Sequence, residues 1–312
     1  MKKTIFLILA IIGIGVSIYF IHEKISPEEE RTGVTSENLL KGIRIQQIGW
    51  NGEYWLIACE NLSEGSFHLI SFDGDTFKDT TPQKLKNMGI CISSISTEDG
   101  IWIFKEKRVS EDHSAIVYRF DGKDVEIKKE NVDPESYWKI TSCNEEYCLI
   151  WDKKSKKLIK SYNGSTIDLT AKFEEATGMR STFPGLFVDP IKWNGEYWLL
   201  RYGGKPPWML VKYDGESFEF LLSGVREFKW NGEYWLITLM NVGEGSIVKY
   251  NGMSFEYISL PSSNGADALG WNGEYWLIAT VNSPFGGSNA LVRYDGYSIT
   301  DLSKKFQECL SG

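Results

Sequence analysis

The chain has 312 residues, a formal net charge of −8 and 14% aromatic residues. That length supports one large β domain or two ordinary ones around a full hydrophobic core, and thirty glycines beside so many aromatics favour strands joined by turns. The acidic balance, with no basic stripe, excludes nucleic acid as a partner, because that role needs clustered Lys and Arg to displace counterions from phosphate.

The first element is apolar. Met1, Lys2 and Lys3 precede an uncharged run from Thr4 to Ile21. As a helix these residues span roughly 27 Å, enough to cross a hydrocarbon core. Positive charge before the run and the acidic residues Glu28, Glu29 and Glu30 after it place residues 1–3 in the cytoplasm and the remainder outside. A cleaved signal peptide is the rival reading. The small-residue stretch Gly15-Val16-Ser17 makes a poor cleavage site, which favours an uncleaved signal-anchor at the cell membrane. Residues 22–42 are polar, contain Pro27 and read as a short stalk.

From residue 43 the chain repeats itself. WNGEYWLI starts at Trp50, Trp230 and Trp271, and WNGEYWLL at Trp193; weaker copies start at Thr97 and Cys143. A second motif follows each copy: FDG at Phe72 and Phe120, YNG at Tyr162 and Tyr250, YDG at Tyr213 and Tyr294. Asn-Gly and Asp-Gly mark tight hairpins, so each unit parses into four short strands, A to D. Six such meanders predict an all-β, six-bladed β-propeller of four-stranded antiparallel blades. The blades fall near 43–81, 90–127, 137–170, 187–222, 225–259 and 266–302. A solenoid would need atypical capping repeats, and the last repeat resembles the others. Because the first repeat begins with strand A and the last ends with strand D, blade six is expected to pack on blade one without exchanging a strand. The tail 303–312 assists that closure. Its SKKFQECL resembles TAKFEEA at Thr170, and both predict a short helix capped by Ser or Thr.

These motifs resemble the repeats of archaeal-type, membrane-anchored prokaryotic propeller proteins with WNGxYWLI and YDGxxFxDLT. The resemblance covers roughly residues 43–302 and implies a fold, with no activity attached.

Within the repeat, both Trp of WNGEYW share one face of the blade and are expected in the core between blades. Repeat three replaces both together, by Cys143 and Cys148, and puts Glu145 where the other copies have Gly. A cross-strand disulfide would tether that weaker hairpin in an oxidising compartment. The pairing requires directly opposed residues, hence a four-residue connection and Trp50 facing Trp55. Cys59, Cys91 and Cys309 leave at least one free thiol. Glu53, Glu146, Glu196, Glu233 and Glu274 recur beside the turn. They are read as solvated hairpin residues, with a cation held by their ring as the sharper alternative.

Motifs for nucleophilic or metal chemistry are absent. The three histidines, His22, His68 and His113, do not fall in a ligand spacing, and no P-loop or G-x-S-x-G occurs. No cofactor is implied. The variable B–C and D–A connections are where binding residues concentrate on a rigid scaffold. Arg180, Phe183, Phe187, Tyr202, Trp208 and Phe285 are the candidates there, as aromatic and Arg residues dominate hot spots. The expected role is an extracytoplasmic recognition or scaffold module for a protein, peptide or glycan. The alternatives are a carbohydrate-active enzyme with carboxylates in the central pocket and a structural subunit of an envelope complex.

Overall fold

A computed structural model describes residues 40, 42–86, 88–109, 114–131, 139–180, 186–204, 208–240, 247–260, 265–281 and 288–311. The chain divides into two units, Met1–Val34 and Thr35–Gly312. The expected membrane helix and most of the stalk lie outside the described residues.

The second unit is a six-bladed propeller. Blade one is built from strands A to D at Ile43–Trp50, Trp55–Asn61, Ser66–Phe72 and Phe77–Asp79. The strands of blades two to six span 92–131, 139–168, 187–223, 225–258 and 265–301. Every sheet contains four consecutive antiparallel strands. Among the described residues no strand passes from one blade to another.

The hairpins explain the repeated motifs. Trp50 pairs opposite Trp55, Trp193 opposite Trp198, Trp230 opposite Trp235, Trp271 opposite Trp276, and Cys143 opposite Cys148. Each of these A–B connections is therefore four residues long. Its leading Asn closes the loop with its own side chain: Asn51 Oδ1 accepts from the N–H of Glu53 at 3.0 Å and of Tyr54 at 2.8 Å. The C–D hairpins use the same device, with Asp73, Asp121, Asp214, Asn251 and Asp295 as acceptors. The next residue adopts a left-handed φ, +100° at Gly52, where Gly carries no steric penalty. Glu145 occupies that position in blade three without a positive φ, and Asn144 keeps both acceptor bonds, at 3.0 and 2.8 Å. Glu145 thus enters the turn without adopting the positive φ that the Gly copies use. Two hairpins differ: Asp99-Gly100 and Asn163-Gly164 are two-residue turns with both φ positive, as a type I′ turn demands.

Two short helices close blades. Helix α1, Thr170–Thr177, follows blade three, and α2, Ser303–Ser311, follows blade six. The expected hydroxyl caps are corrected by the structure. Helix α1 has no side-chain cap bond. Thr170 Oγ1 accepts instead from Leu158 N on strand C, and Ser303 Oγ from Leu291 N. The preceding aspartates, Asp168 and Asp301, accept from the N–H of the same Thr and Ser. The Asp-Leu-Thr/Ser motif therefore finishes a strand rather than starting a helix. Each helix lies on strand D of the following blade. Phe173 packs edge-on to Phe218, and Phe306 edge-on to Phe77, with Lys305 3.2 Å from Asp75.

The core is a set of seams between blades. The strand-B tryptophans Trp55, Trp102, Trp198, Trp235 and Trp276 are fully buried. The Tyr of one blade's hairpin accepts from the indole N–H of the next blade's Trp: Trp102 to Tyr54 at 2.9 Å, Trp198 to Tyr147 at 3.1 Å, Trp276 to Tyr234 at 3.1 Å. Trp55 donates to Tyr275 at 3.0 Å, so blade six meets blade one through the same contact as any other pair. Between blades four and five, Tyr197 and Trp235 come close without reaching hydrogen-bond geometry. The seam between blades two and three lacks both members, because Ile101 stands for the Tyr and Cys148 for the Trp.

Candidate functional site

Five A strands carry a register shift that begins within their first three residues, and blade three alone has a regular one. All six converge on a central cavity of about 610 Å³. The cavity sits at the hairpin end, because its wall includes the last strand-A residue of five blades: Trp50, Cys143, Trp193, Trp230 and Trp271. The four tryptophans are half-buried. Each leans on its strand-B partner at 5.0–5.3 Å between ring centroids, which fixes its orientation. Both Trp of the motif pack on the seam core as expected, the strand-B Trp fully buried there; the half-buried strand-A Trp also lines the cavity, where Trp235 of strand B joins it.

The residue just before the strand-A Trp decides the wall's character. It is Gly49, Ser142, Lys192, Lys229 or Gly270 according to blade. The glycines are required by close approach, since a Cβ on Gly270 would lie 2.4 Å from the Trp55 ring. Lys192 reaches across the seam to Phe228 O and stands 3.4 Å from Glu227 Oε1. Lys229 donates to Leu269 O. Burial pulls the Lys229 ammonium down to about 8, against the opposing pull of Glu227. Glu227 is held below the usual carboxylate range: burial pushes it up, and Lys192, Lys229 and Arg201 outweigh that push. Farther along the inner strands Arg226 pairs with Asp267, and Arg201 donates to the carbonyls of Asp189 and Arg226. Sequence reasoning missed this charged inner wall. The signal was variation inside a repeat, at a position flanked by constant residues.

The hairpin face also carries clefts between blades. One, of about 850 Å³, lies between blades three and four, and another, of about 530 Å³, between five and six. They are built from equivalent positions: Glu146 and Glu233, Tyr147 and Tyr234, Lys160 and Lys249, Trp193 and Trp271, Asp214 and Asp295.

The sequence-predicted loop residues do not assemble into one site. Tyr202 is fully buried and packs edge-on to Phe173, which makes it core. Trp208 packs against Phe187 at 6.1 Å and beneath the Arg201 guanidinium at 4.6 Å. Arg180 is exposed after α1. Phe183 and Phe285 lie outside the described residues. Glu53, Glu146, Glu196, Glu233 and Glu274 are exposed on the hairpins. Among the described residues no three His, Cys, Asp or Glu side chains converge as metal ligands. Cys143 and Cys148 are disulfide-bonded with Cα atoms 3.9 Å apart, closer than the usual range of about 4.4–6.8 Å. Cys59 is a buried free thiol, Cys91 an exposed one, and Cys309 a half-buried one.

No protein-family model matches the sequence, and no similar curated protein is found. Among solved structures the chain is similar to the β-propeller domain of the trilobed protease from Pyrococcus furiosus (12% identity, TM-score 0.42, 84% of this chain and 98% of that one). It is also similar to the acylaminoacyl peptidase of Pyrococcus horikoshii (12%, TM-score 0.46, 85% and 53%). A third likeness is to a puromycin-hydrolysing peptidase of Mycobacterium tuberculosis (9%, TM-score 0.48, 86% and 54%). The chain spans about half the length of the two peptidases.

Proposed function

We propose that this propeller is a membrane-anchored, extracytoplasmic recognition module whose ligand surface is the hairpin face. One observation carries the reading: four blades place a second, half-buried Trp around the central cavity, where the seams are already filled by the first. Leaving large apolar rings on a cavity wall is unfavourable unless a ligand covers them. The wall described for that cavity contains Lys, Ser and Trp and no carboxylate, which favours binding over glycoside hydrolysis, since that needs a carboxylate pair. The charge asymmetry around residues 4–21 and the Cys143–Cys148 disulfide support placement outside the membrane.

The test compares capture of a partner from the native envelope by the full-length protein and two double variants. Trp193→Ala/Trp271→Ala is expected to abolish capture, while Arg180→Ala/Trp208→Ala retains it. The reverse pattern would move the ligand to the loop face. Protease added to intact cells or spheroplasts is expected to digest the propeller; digestion only after lysis would overturn the orientation.

A further inference from the structure

The outer strands of blade one carry a chain of polar side chains at the end opposite the hairpin face. Ser66 and His68 are two apart on strand C, so they share a face. Asp79 stands on the same face of strand D, because it pairs with Ile70, two residues beyond His68. Ser66 Oγ lies 3.0 Å from His68 Nε2, and His68 Nδ1 lies 3.3 Å from Asp79 Oδ2. A hydroxyl, an imidazole and a carboxylate joined in this order are the arrangement that activates a serine as a nucleophile.

The surrounding bonds decide which atom does what. Asp79 Oδ1 accepts from the Thr81 N–H at 2.8 Å and from the Thr81 hydroxyl, while Oδ2 faces His68. Thr81 Oγ1 in turn accepts from the Leu69 N–H at 2.8 Å, which ties the carboxylate to the strand that carries the imidazole. Burial pushes the Asp79 carboxyl up, and His68 and Thr81 outweigh that push and hold it down at about 2. An ionised carboxylate only accepts hydrogen bonds. In the neutral imidazole Nδ1 therefore carries the proton, and Nε2 offers its lone pair to the Ser66 hydroxyl. Cys59, fully buried, pairs opposite His68 on strand B. The outer side is open: the His68 side chain is 15% exposed, and Ser66 is half-buried after the exposed loop 62–65.

Glu64 narrows the substrate. Its Oε2 is 3.3 Å from Ser66 Oγ, so an anionic acyl group is repelled and a neutral one is not. It also competes with His68 for the single hydroxyl proton. An ester asks least of such a relay, because its alcohol leaves on one proton returned by His68.

We infer that Ser66, His68 and Asp79 form a catalytic site for hydrolysis of neutral carboxylic esters, sharing no residue with the hairpin face. Ser66 Oγ bonds to the carbonyl carbon as its proton passes to Nε2, and the carbonyl electron pair moves onto oxygen. That pair re-forms the carbonyl as the bond to the alcohol breaks, and the alcohol oxygen takes the proton from Nε2. Water then adds to the acyl-serine and gives a proton to Nε2. The acid departs as Ser66 Oγ takes that proton back. Asp79 is the positioning residue, which holds the imidazole in one tautomer and faces its positive charge.

The test uses full-length protein in detergent with a fluorophosphonate and with p-nitrophenyl butyrate. Mass spectrometry is expected to find the phosphonyl group on Ser66, fluoride having left, and nitrophenolate should be released catalytically. Ser66→Ala, a half-buried change, should abolish both. His68→Gln should slow both by about 10²-fold or more. Asp79→Asn should lower kcat by a similar factor with KM nearly unchanged, a split that a merely structural role would not give. Glu64→Gln should leave kcat unchanged or raise it, since the hydroxyl is then freer to serve His68. A Ser66 without the phosphonyl group overturns the inference. So does equal labelling of the exposed Ser63, whose hydroxyl donates to Asn61 instead. Hydrolysis that survives Ser66→Ala and falls in His68→Gln also overturns it, because the imidazole would then be the acyl acceptor.

Discussion

At the scale of single residues, the repeat separates positions that tolerate change from positions that do not. Gly270 and Gly49 pass against the Trp55 and Trp102 rings, and a Cβ would approach them to 2.4 and 2.7 Å. Both rings are fully buried and have nowhere to retreat. Gly270→Ala is expected to cost about 1–3 kcal/mol through overpacking, measured by urea denaturation; an unchanged midpoint would show that the seam is loose. The turn aspartates behave differently. Backbone N–H donors hold the Asp73 and Asp295 carboxyls down at about 2. A folded-state value below the unfolded value of about 4 means stability that is present above pH 4 and lost as pH falls toward 2. Asn251 fills the same position in blade five, so Asp73→Asn/Asp295→Asn is expected to fold normally at pH 7 and to flatten the acid limb of a melting-temperature profile. A steep unchanged limb would assign acid sensitivity to other carboxylates.

At the scale of elements, the Tyr–Trp contact is the unit that joins blades. Tyr275→Phe leaves the buried Trp55 indole N–H without a partner, with an expected cost of about 1–3 kcal/mol. Tyr54→Phe, at the seam between blades one and two, should cost about the same. A much smaller effect at Tyr275 would mean that the ring closes mainly through α2 and its Phe306. The disulfide of blade three encloses so few residues that it removes little unfolded-chain entropy. Cys143→Ser/Cys148→Ser is therefore expected to lower stability by no more than about 2 kcal/mol, read from denaturation in parallel with the parent. The strands and four-residue hairpins were legible in the sequence because Asn-Gly and Asp-Gly declare turns locally, and Cys143 with Cys148 declares register. The hydroxyl caps were misread because Thr170 and Ser303 serve strand C, a partner twelve residues back that no local pattern reveals.

At the scale of the whole molecule, one side chain type does two jobs, and sequence alone assigned both Trp to the same one. WNGEYW places two tryptophans on one face of a hairpin. Strand A is innermost, however, so its Trp meets the cavity while its neighbour meets the preceding blade. That distinction depends on the radial position of a strand, which exists only once six blades have closed. The same closure turns the residue before the strand-A Trp from a surface position into cavity wall. Lys229 thereby becomes a half-buried amine on the cavity wall, lowered to about 8. Because its folded value lies below the unfolded value of about 10.4, its contribution to stability grows as pH rises from 8 to 10.4.

The central claim is this division of labour, and a paired substitution series tests it directly. Trp55, Trp198, Trp235 and Trp276 on strand B, and Trp50, Trp193, Trp230 and Trp271 on strand A, are changed singly to Ala. Each variant is measured for unfolding free energy and for ligand retention. The strand-B set is expected to lose about 3–5 kcal/mol each. The strand-A set should lose distinctly less stability and at least tenfold in retention. Equal destabilisation by the two sets, with retention unchanged in the strand-A variants that still fold, would contradict the account.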